Sequence, residues 1–149
     1  MNKDWIEELS HIFNEVAPIA QFFGMKLEYD ENGCAVVHLP HNPNLDHALG
    51  GVHGGVYATL LDCAGWFTVA AAREPYSWLV TSEITVRYLE PVNGLALRAI
   101  GRVIKQGKRQ DVAEMHLYDE EGQMVGHATG TFMVINNVQI PQSFLVNKG

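Results

Sequence analysis

The sequence predicts an α+β fold in which a long antiparallel β-sheet wraps around one central buried α-helix. The stretch from Gly54 to Arg73 contains no proline and is apolar on every side, which is typical of a helix that is buried all round. Beyond Pro75, extended segments follow one another with short turns between them, which is typical of an antiparallel sheet. The length of 149 residues predicts one domain over positions 1–149.

The first 24 residues predict an N-terminal amphipathic helical segment. Apolar residues recur at steps of three and four from Asp4 to Phe23, and Pro18 marks either a break or the start of a second short helix. The next stretch, Met25 to Leu39, is extended in character and contains an Asp-Glu-Asn-Gly turn signal, which predicts a strand or a hairpin. We expect a loop over His41 to Gly51.

The second half of the chain predicts four strands joined by hairpins, because short turn sequences separate the extended segments. The segments run over Trp78 to Leu89, Leu95 to Lys105, Arg109 to Tyr118 and Met124 to Ile135. Alternation along the first strand predicts that Trp78, Val80 and Ile84 face the helix. Thr81 and Arg87 then face a partner chain or a substrate channel. The tail over 136–149 is weakly patterned and carries no prediction.

Composition and charge exclude several classes of protein. The net charge of -7 argues against general nucleic-acid binding, because a phosphate backbone requires a basic surface. We expect no membrane span, since no apolar run approaches the ~20 residues that a span requires. Cys34 and Cys63, in a chain without a secretory leader pattern, predict a reducing cytoplasm rather than a disulfide scaffold.

The candidate site is a glycine-rich turn that leads into the predicted core helix. Positions 50–55 read Gly-Gly-Val-His-Gly-Gly. The backbone N–H groups of Gly54 and Gly55, at a helix N-terminus, are suited to holding an oxyanion. Asp62 is the only charged residue between this turn and Arg73. A carboxylate in such an apolar run is costly unless it is paired or used, so Asp62 is the candidate acid of an acyl-transfer site.

The order of these segments resembles the hotdog-fold thioesterases, and in particular the PaaI-like acyl-CoA thioesterases, over about Asp46 to Val134. The most specific parts are Gly50-x-x-His53-Gly54-Gly55, Asp62 nine positions after His53, the strand over 80–91, and the ending Ala128-Thr129-Gly130-Thr131-Phe132. The resemblance implies a hotdog fold and hydrolysis of an acyl-CoA thioester. It implies no cofactor, because coenzyme A is part of the substrate.

The resemblance also implies roles for individual residues. Asp62 would be the general base or the nucleophile, and Gly55, or its neighbour Gly54, would be the backbone oxyanion donor. His53 matches the family's turn histidine, and Thr81 stands where a Ser or Thr often orients water or the acid. The chain departs from the family at one position, where His47 replaces the usual Asn. Either His47 still donates a hydrogen bond there, or Asn44 reaches the site instead.

Two further groups of residues are candidates for substrate binding. Trp66 shares a helical face with Asp62, so it either lines an acyl pocket or fills the core. Five of the ten Lys and Arg residues cluster in one strand and hairpin: Arg98, Arg102, Lys105, Lys108 and Arg109. A local cationic patch suits the phosphates of coenzyme A, although it would equally be expected of a solvated loop.

The spacing of the candidate groups predicts a shared site. Gly55 and Asp62 are seven residues apart, so they would lie about 10 Å apart along a helix axis. One carbonyl group cannot easily contact both, which predicts that a two-fold partner supplies one of them. The resemblance points the same way, towards a homodimer that often pairs into a homotetramer.

Metal binding is not expected from the histidines near the turn. His38, His41, His47 and His53 match no ligand spacing, so the sequence predicts no metal site. Cys63 has apolar neighbours and is expected to be a buried, unreactive thiol.

Two other functions remain open on this fold. One is a non-catalytic acyl-CoA-binding protein, and the other, which fits less well, is a hydratase or dehydratase. The identity of the acyl group is also open, as is the choice between coenzyme A and acyl-carrier protein as its donor.

Overall fold

The computed structural model describes Met1–Gly149. The helices are α1 (Lys3–His11), α2 (Pro18–Phe23) and α3 (Gly54–Ala72), and a π-helical turn over Ile12–Val16 joins the first two. The strands are β1 (Lys26–Tyr29), β2 (Ala35–Leu39), β3 (Trp78–Tyr88), β4 (Leu97–Gln106), β5 (Gln110–Asp119) and β6 (Met124–Ile135). Short 3₁₀ turns lie at Pro43–Leu45 and Gln142–Phe144.

The six strands form one antiparallel sheet in the order β1-β2-β4-β5-β6-β3, and this sheet wraps around α3. The helix packs against every strand from β2 to β6. Leu60, Leu61 and Ala64 on α3 are fully buried, as are Met115 and Phe132 on the facing strands. The predicted α+β arrangement is therefore confirmed, and it is the hotdog fold that the resemblance implies.

The close contact between α3 and β4 depends on one glycine. A Cβ atom at Gly101 would overlap the carbonyl oxygen of Ala64 and the hydroxyl of Thr68. That hydroxyl donates to Ala64 O at 2.7 Å and accepts from the N–H of Ala35 at 2.9 Å. Any side chain at Gly101 would therefore push the helix off the sheet.

The predicted hairpin between β3 and β4 is wrong. β3 pairs with β6 at one edge of the sheet, from Trp78↔Ile135 to Tyr88↔Gly126, whereas β4 pairs with β2 and β5. The connection between β3 and β4 crosses the sheet, and its Val92 is buried. Turn residues mark where the chain changes direction, but they do not determine which strands pair.

The predicted faces of β3 are also wrong near its start, because the register shifts between Thr81 and Glu83. Leu79 is 1% exposed and faces the core, whereas Val80 is 41% exposed. Thr81 therefore faces α3 rather than away from it. Beyond the bulge, Ile84 packs against the core as predicted.

The N-terminal segment is helical, as predicted, and it covers one side of the core. Trp5, Leu9 and Phe13 are buried, and the indole N–H of Trp5 donates to Ala70 O on α3 at 2.9 Å. The carboxylate of Glu8 is buried and accepts the N–H of Val146 at 2.7 Å. This bond ties the C-terminal tail to α1.

The expectation that no apolar run approaches a membrane-spanning length is wrong for α3. Its 19 residues are long and apolar enough to cross a membrane by length and composition alone. Most of this stretch is buried inside the protein, because the sheet wraps around it. The same composition is expected of the core helix of a wrapped fold.

Candidate active site

The glycine-rich turn is held by backbone hydrogen bonds on both sides. Gly51 O accepts from the N–H of His47 at 2.8 Å, and His47 O accepts from Gly50 at 2.9 Å. Gly50 has φ 85°, a left-handed conformation that favours glycine. The N–H of Val52 donates to Val92 O in the β3–β4 connection at 2.9 Å. The start of α3 is therefore anchored to the crossing segment.

His53 caps the N-terminus of α3 with its side chain. Its backbone is extended, and its ring Nδ1 accepts the N–H of Gly55 at 2.8 Å. The N–H of Gly54, one residue earlier, makes no hydrogen bond within the chain. Since the first N–H groups of a helix are electropositive, Gly54 presents the available donor of this turn and Gly55 is already engaged.

Asp62 lies on α3, half-buried, and bonds to the strand beside it. The hydroxyl of Thr81 donates to Asp62 Oδ1 at 2.7 Å. The bulge after Thr81 allows this contact, because without it Thr81 would share the outward-facing side predicted from simple alternation. The structure thus brings together two residues that the sequence placed on separate elements.

The surroundings of Asp62 alter its acidity. Burial raises the pKa of the Asp62 carboxyl above its usual value, and the hydrogen bond from Thr81 opposes part of that rise. Burial also raises the pKa of the neighbouring Cys63 thiol to about 12, with a further contribution from Asp62. Cys63 is therefore protonated near neutral pH, as expected for an unreactive thiol.

Aromatic side chains pack one helical turn beyond Asp62. The indole N–H of Trp66 donates to Leu79 O at 2.9 Å, and the ring lies edge-on to Trp78 with centroids 4.8 Å apart. Trp66 also packs on Phe67 at 4.7 Å. The half-buried Trp66 therefore contributes to the core and leaves part of its surface accessible beside the acid.

The structure does not bring His47 or Asn44 onto Asp62 within one chain. The exposed His47 accepts the N–H of Leu49 on Nδ1 at 3.2 Å, and its ring lies over Gly51. Asn44 is exposed in the 3₁₀ turn, where its backbone N–H donates to the Asn42 side chain. Neither side chain has a hydrogen bond to the acid or to the helix N-terminus.

Three of the basic residues predicted to bind substrate, Arg87, Lys108 and Arg109, lie in two places. Lys108 and Arg109 are exposed in the β4–β5 turn, which Arg73 anchors through the carbonyls of Gly107 and Lys108. This turn is near the C-terminal end of α3, whereas the glycine turn is at its N-terminal end. Arg87 is exposed towards the end of β3. A single chain therefore does not gather these cations around Asp62.

A cluster of titratable side chains on β5 and β6 was not predicted. Glu114 Oε1 lies 3.2 Å from His116 Nε2 and 2.9 Å from His127 Nε2. The pattern Glu-x-His places two side chains on one face of β5. His127 lies opposite His116 only because the register shifts between Leu117 and Tyr118, so counting residues across the β5–β6 turn does not give this pairing.

Comparison with known proteins identifies related sequences. The family model described as Thioesterase superfamily matches residues 49–125, more than half of the chain. Medium/long-chain acyl-CoA thioesterase YigI of Escherichia coli is 28% identical over 132 residues, covering 78% of this chain and 85% of YigI.

Two solved structures are also similar to this chain. A Bacillus halodurans protein crystallised with CoA is 31% identical, has a TM-score of 0.78, and matches over 93% of this chain and 97% of its own. PaaI, encoded in the E. coli phenylacetic acid degradation operon, shares the fold with a TM-score of 0.78 at 22% identity, over 89% of this chain and 98% of PaaI.

At about pH 8, the Tm of Asp62→Asn is expected to equal or exceed that of the wild type. At about pH 4, the variant should no longer exceed the wild type in Tm. Burial raises the pKa of the Asp62 carboxyl in the folded state above its pKa in the unfolded state. Ionisation of this carboxyl therefore destabilises the fold, and the loss grows as the pH rises from the unfolded-state pKa through the folded-state pKa. The amide oxygen of Asn can keep the hydrogen bond from Thr81. Thermal unfolding across this pH range measures the difference.

The control is Asp111→Asn, the same change at a buried acid that is paired with an arginine. Asp111 is 1% exposed and accepts from Arg73 at 2.7 and 2.8 Å, so this change should cost about 3 kcal/mol. A lower Tm for Asp62→Asn at about pH 8 would mean that the Asp62 carboxylate stabilises the fold.

Proposed function

Because the chain belongs to the thioesterase superfamily, we propose that it hydrolyses the thioester bond of an acyl-CoA, releasing the free acid and coenzyme A. The observation that carries this proposal is the half-buried Asp62 carboxylate, held by the Thr81 hydroxyl on a helix whose N-terminus presents the free N–H of Gly54. The named activity of YigI and the CoA in the Bacillus halodurans structure support the choice of substrate class.

The chemistry requires few groups. A thioester carbonyl has weak resonance stabilisation, and its thiol leaving group has a pKa of roughly 8.5, so little acid assistance is needed. Asp62 takes a proton from water, the resulting oxygen attacks the carbonyl carbon, and the C–S bond then breaks. Alternatively, the Asp62 carboxylate attacks the carbonyl directly, the C–S bond breaks to expel the CoA thiolate, and water then hydrolyses the anhydride to release the acid and regenerate Asp62.

We assign the oxyanion donor to Gly54 rather than Gly55. The carbonyl oxygen becomes negative during either attack, and a free N–H at a helix N-terminus stabilises that charge. The N–H of Gly55 is engaged by His53 Nδ1 at 2.8 Å. His53 therefore has a positioning role, because its ring holds the first turn of α3 in place.

We propose that each site is shared between two chains. Gly54 and Asp62 are eight residues apart, about 12 Å along the helix axis, which is too far for one carbonyl to contact both. β3 is an edge strand of 11 residues whose second edge has no partner strand in the chain. A two-fold copy paired along that edge would lie beside Thr81 and Asp62. Two such dimers would form the homotetramer that the resemblance implies.

Substrate contacts follow from the same arrangement. The accessible part of Trp66 lies one helical turn from Asp62, where it would contact the acyl group. Lys108 and Arg109 are exposed cations that would meet the phosphates of coenzyme A, together with Arg87. His47 and Asn44 would reach the acyl-CoA only from a partner chain. Because Cys34 and Cys63 are both free thiols, we place the enzyme in the reducing cytoplasm.

The activity is tested by thiol release from a panel of short-chain, medium-chain, long-chain and aromatic acyl-CoAs. We expect release from at least one member and a loss of at least about 10³-fold with Asp62→Asn. The control is Glu74→Gln, an exposed acid just beyond the other end of α3, which should leave the rate unchanged. Tight CoA binding with no release from any member would instead favour the non-catalytic acyl-CoA-binding function.

The shared site is tested by mixing two inactive variants. Gly54→Pro removes the proposed N–H donor, and proline is tolerated at the first position of a helix. Gly54→Ala is its control, because it adds a Cβ beside the Tyr88 ring but keeps the N–H.

An equal mixture of Asp62→Asn and Gly54→Pro chains should recover about one quarter of the wild-type rate. Half of the dimers would be mixed, and each of those would have one complete site of its two. No recovery after verified subunit exchange would exclude a shared site.

Thr81→Val should move the acidic limb of the pH profile of kcat/KM to higher pH. The Thr81 hydrogen bond lowers the pKa of Asp62, and activity requires the ionised acid, so the loss should be larger at about pH 6 than at about pH 8.5. Thr81→Ser keeps the hydroxyl and should retain the wild-type profile. A uniform loss at both pH values would show that Thr81 does not act through the ionisation of Asp62.

A further inference from the structure

We propose that Glu114, His116 and His127 form a binding site for a divalent transition-metal ion of the Zn²⁺ class. The three side chains lie on the face of the sheet opposite α3. Glu114 and His116 alternate with Ala113 and Met115, which are fully buried against the helix, and His127 is the cross-strand partner of His116. The sheet therefore separates this cluster from Asp62.

The ligand atoms have the spacing that a metal requires. The donor atoms of the three residues all lie within 4.8 Å of one another. Glu114 Oε1 is 3.2 Å from His116 Nε2 and 2.9 Å from His127 Nε2. Bonds of about 2.0 Å in a tetrahedral site place neighbouring ligand atoms about 3.3 Å apart. Small side-chain movements would accommodate an ion, which would replace the protons that now bridge these pairs.

The donor set matches known metal chemistry. Two imidazoles and one carboxylate bind Zn²⁺ and related ions and leave coordination positions free for water or another ligand. His116 Nδ1 lies 3.2 Å from the Tyr118 hydroxyl, which orients the ring and leaves Nε2 for the ion.

No neighbouring arginine forms an ion pair with the Glu114 carboxylate. Arg102 is the cross-strand partner of Glu114, yet no ion pair joins them within 4.0 Å. Arg98 lies over the Tyr118 ring at 5.0 Å, and Arg87 is the cross-strand partner of His127. Glu114 is therefore directed at the two histidines although an arginine is one of its two cross-strand partners.

The cluster is accessible to an ion. The side chains of His127, His116 and Glu114 are 22%, 29% and 33% exposed. A cleft of about 370 Å³ is lined by Glu114 and His116, together with Asp30, Cys34 and Arg102. An ion held by the three ligands would have its open positions available from this side of the sheet.

The test is a calorimetric Zn²⁺ titration of the chelator-treated 149-residue chain at about pH 7.5. We expect one ion per chain, binding weakened at least about tenfold by His116→Gln or His127→Gln, and a Tm that Zn²⁺ raises in the wild type. The matched control is His38→Gln, which removes an exposed histidine paired with one carboxylate, Glu28, at 2.8 Å. This control should bind Zn²⁺ as the wild type does.

Two further measurements keep the test decisive. Co²⁺ should show visible absorption bands that His127→Gln removes, and Glu114→Gln serves as the ligand variant if a histidine variant does not fold. Absence of Zn²⁺ binding, or binding that survives the ligand variants but is lost in Cys34→Ser, would overturn the proposal.

Discussion

The hydrogen bond from the Thr81 hydroxyl to the Asp62 carboxylate connects the core of this protein to its candidate chemistry. An apolar helix that a sheet wraps on nearly every side has little solvent to stabilise a charge. Asp62 therefore needs a polar partner, and β3 provides one at its bulge. The same strand is at the edge of the sheet, so the acid lies next to the surface along which a second chain would pair. The burial of Asp62, the acidity of its carboxyl and the proposed pairing of two chains thus all depend on the position of β3.

Much of the fold could be predicted because its signals are local. The helix over Gly54–Ala72 was predictable from its uniformly apolar composition, and the strands from their alternation and turn residues. The pairing of β3 with β6 was not, because it depends on which surface remains uncovered after β4 and β5 have packed on the helix. The bulge after Thr81 likewise depends on tertiary contacts, so simple alternation placed Val80 on the wrong side.

Some residues of the candidate site could likewise be predicted from the sequence, and others could not. Asp62 and the glycine turn were identifiable because a lone acid and paired glycines are unusual beside an apolar run. The distinction between Gly54 and Gly55 rests on the orientation of the His53 ring, which sequence spacing does not determine. The Glu114, His116 and His127 cluster required the register of β5 and β6. That register shifts between Leu117 and Tyr118, so the sequence around the short turn does not determine it.

The crossing between β3 and β4 has a consequence for how the chain reaches its final state. β3 leaves the ribosome directly after the helix, but its pairing partner, Met124–Ile135, is synthesised only after β4 and β5. Thr81 and Phe132 are register partners separated by about 50 positions, a non-local contact of the kind that forms slowly. During synthesis, β3, which carries the hydroxyl that bonds to Asp62, therefore has no strand partner, and the environment of Asp62 is completed only when the last strand is added.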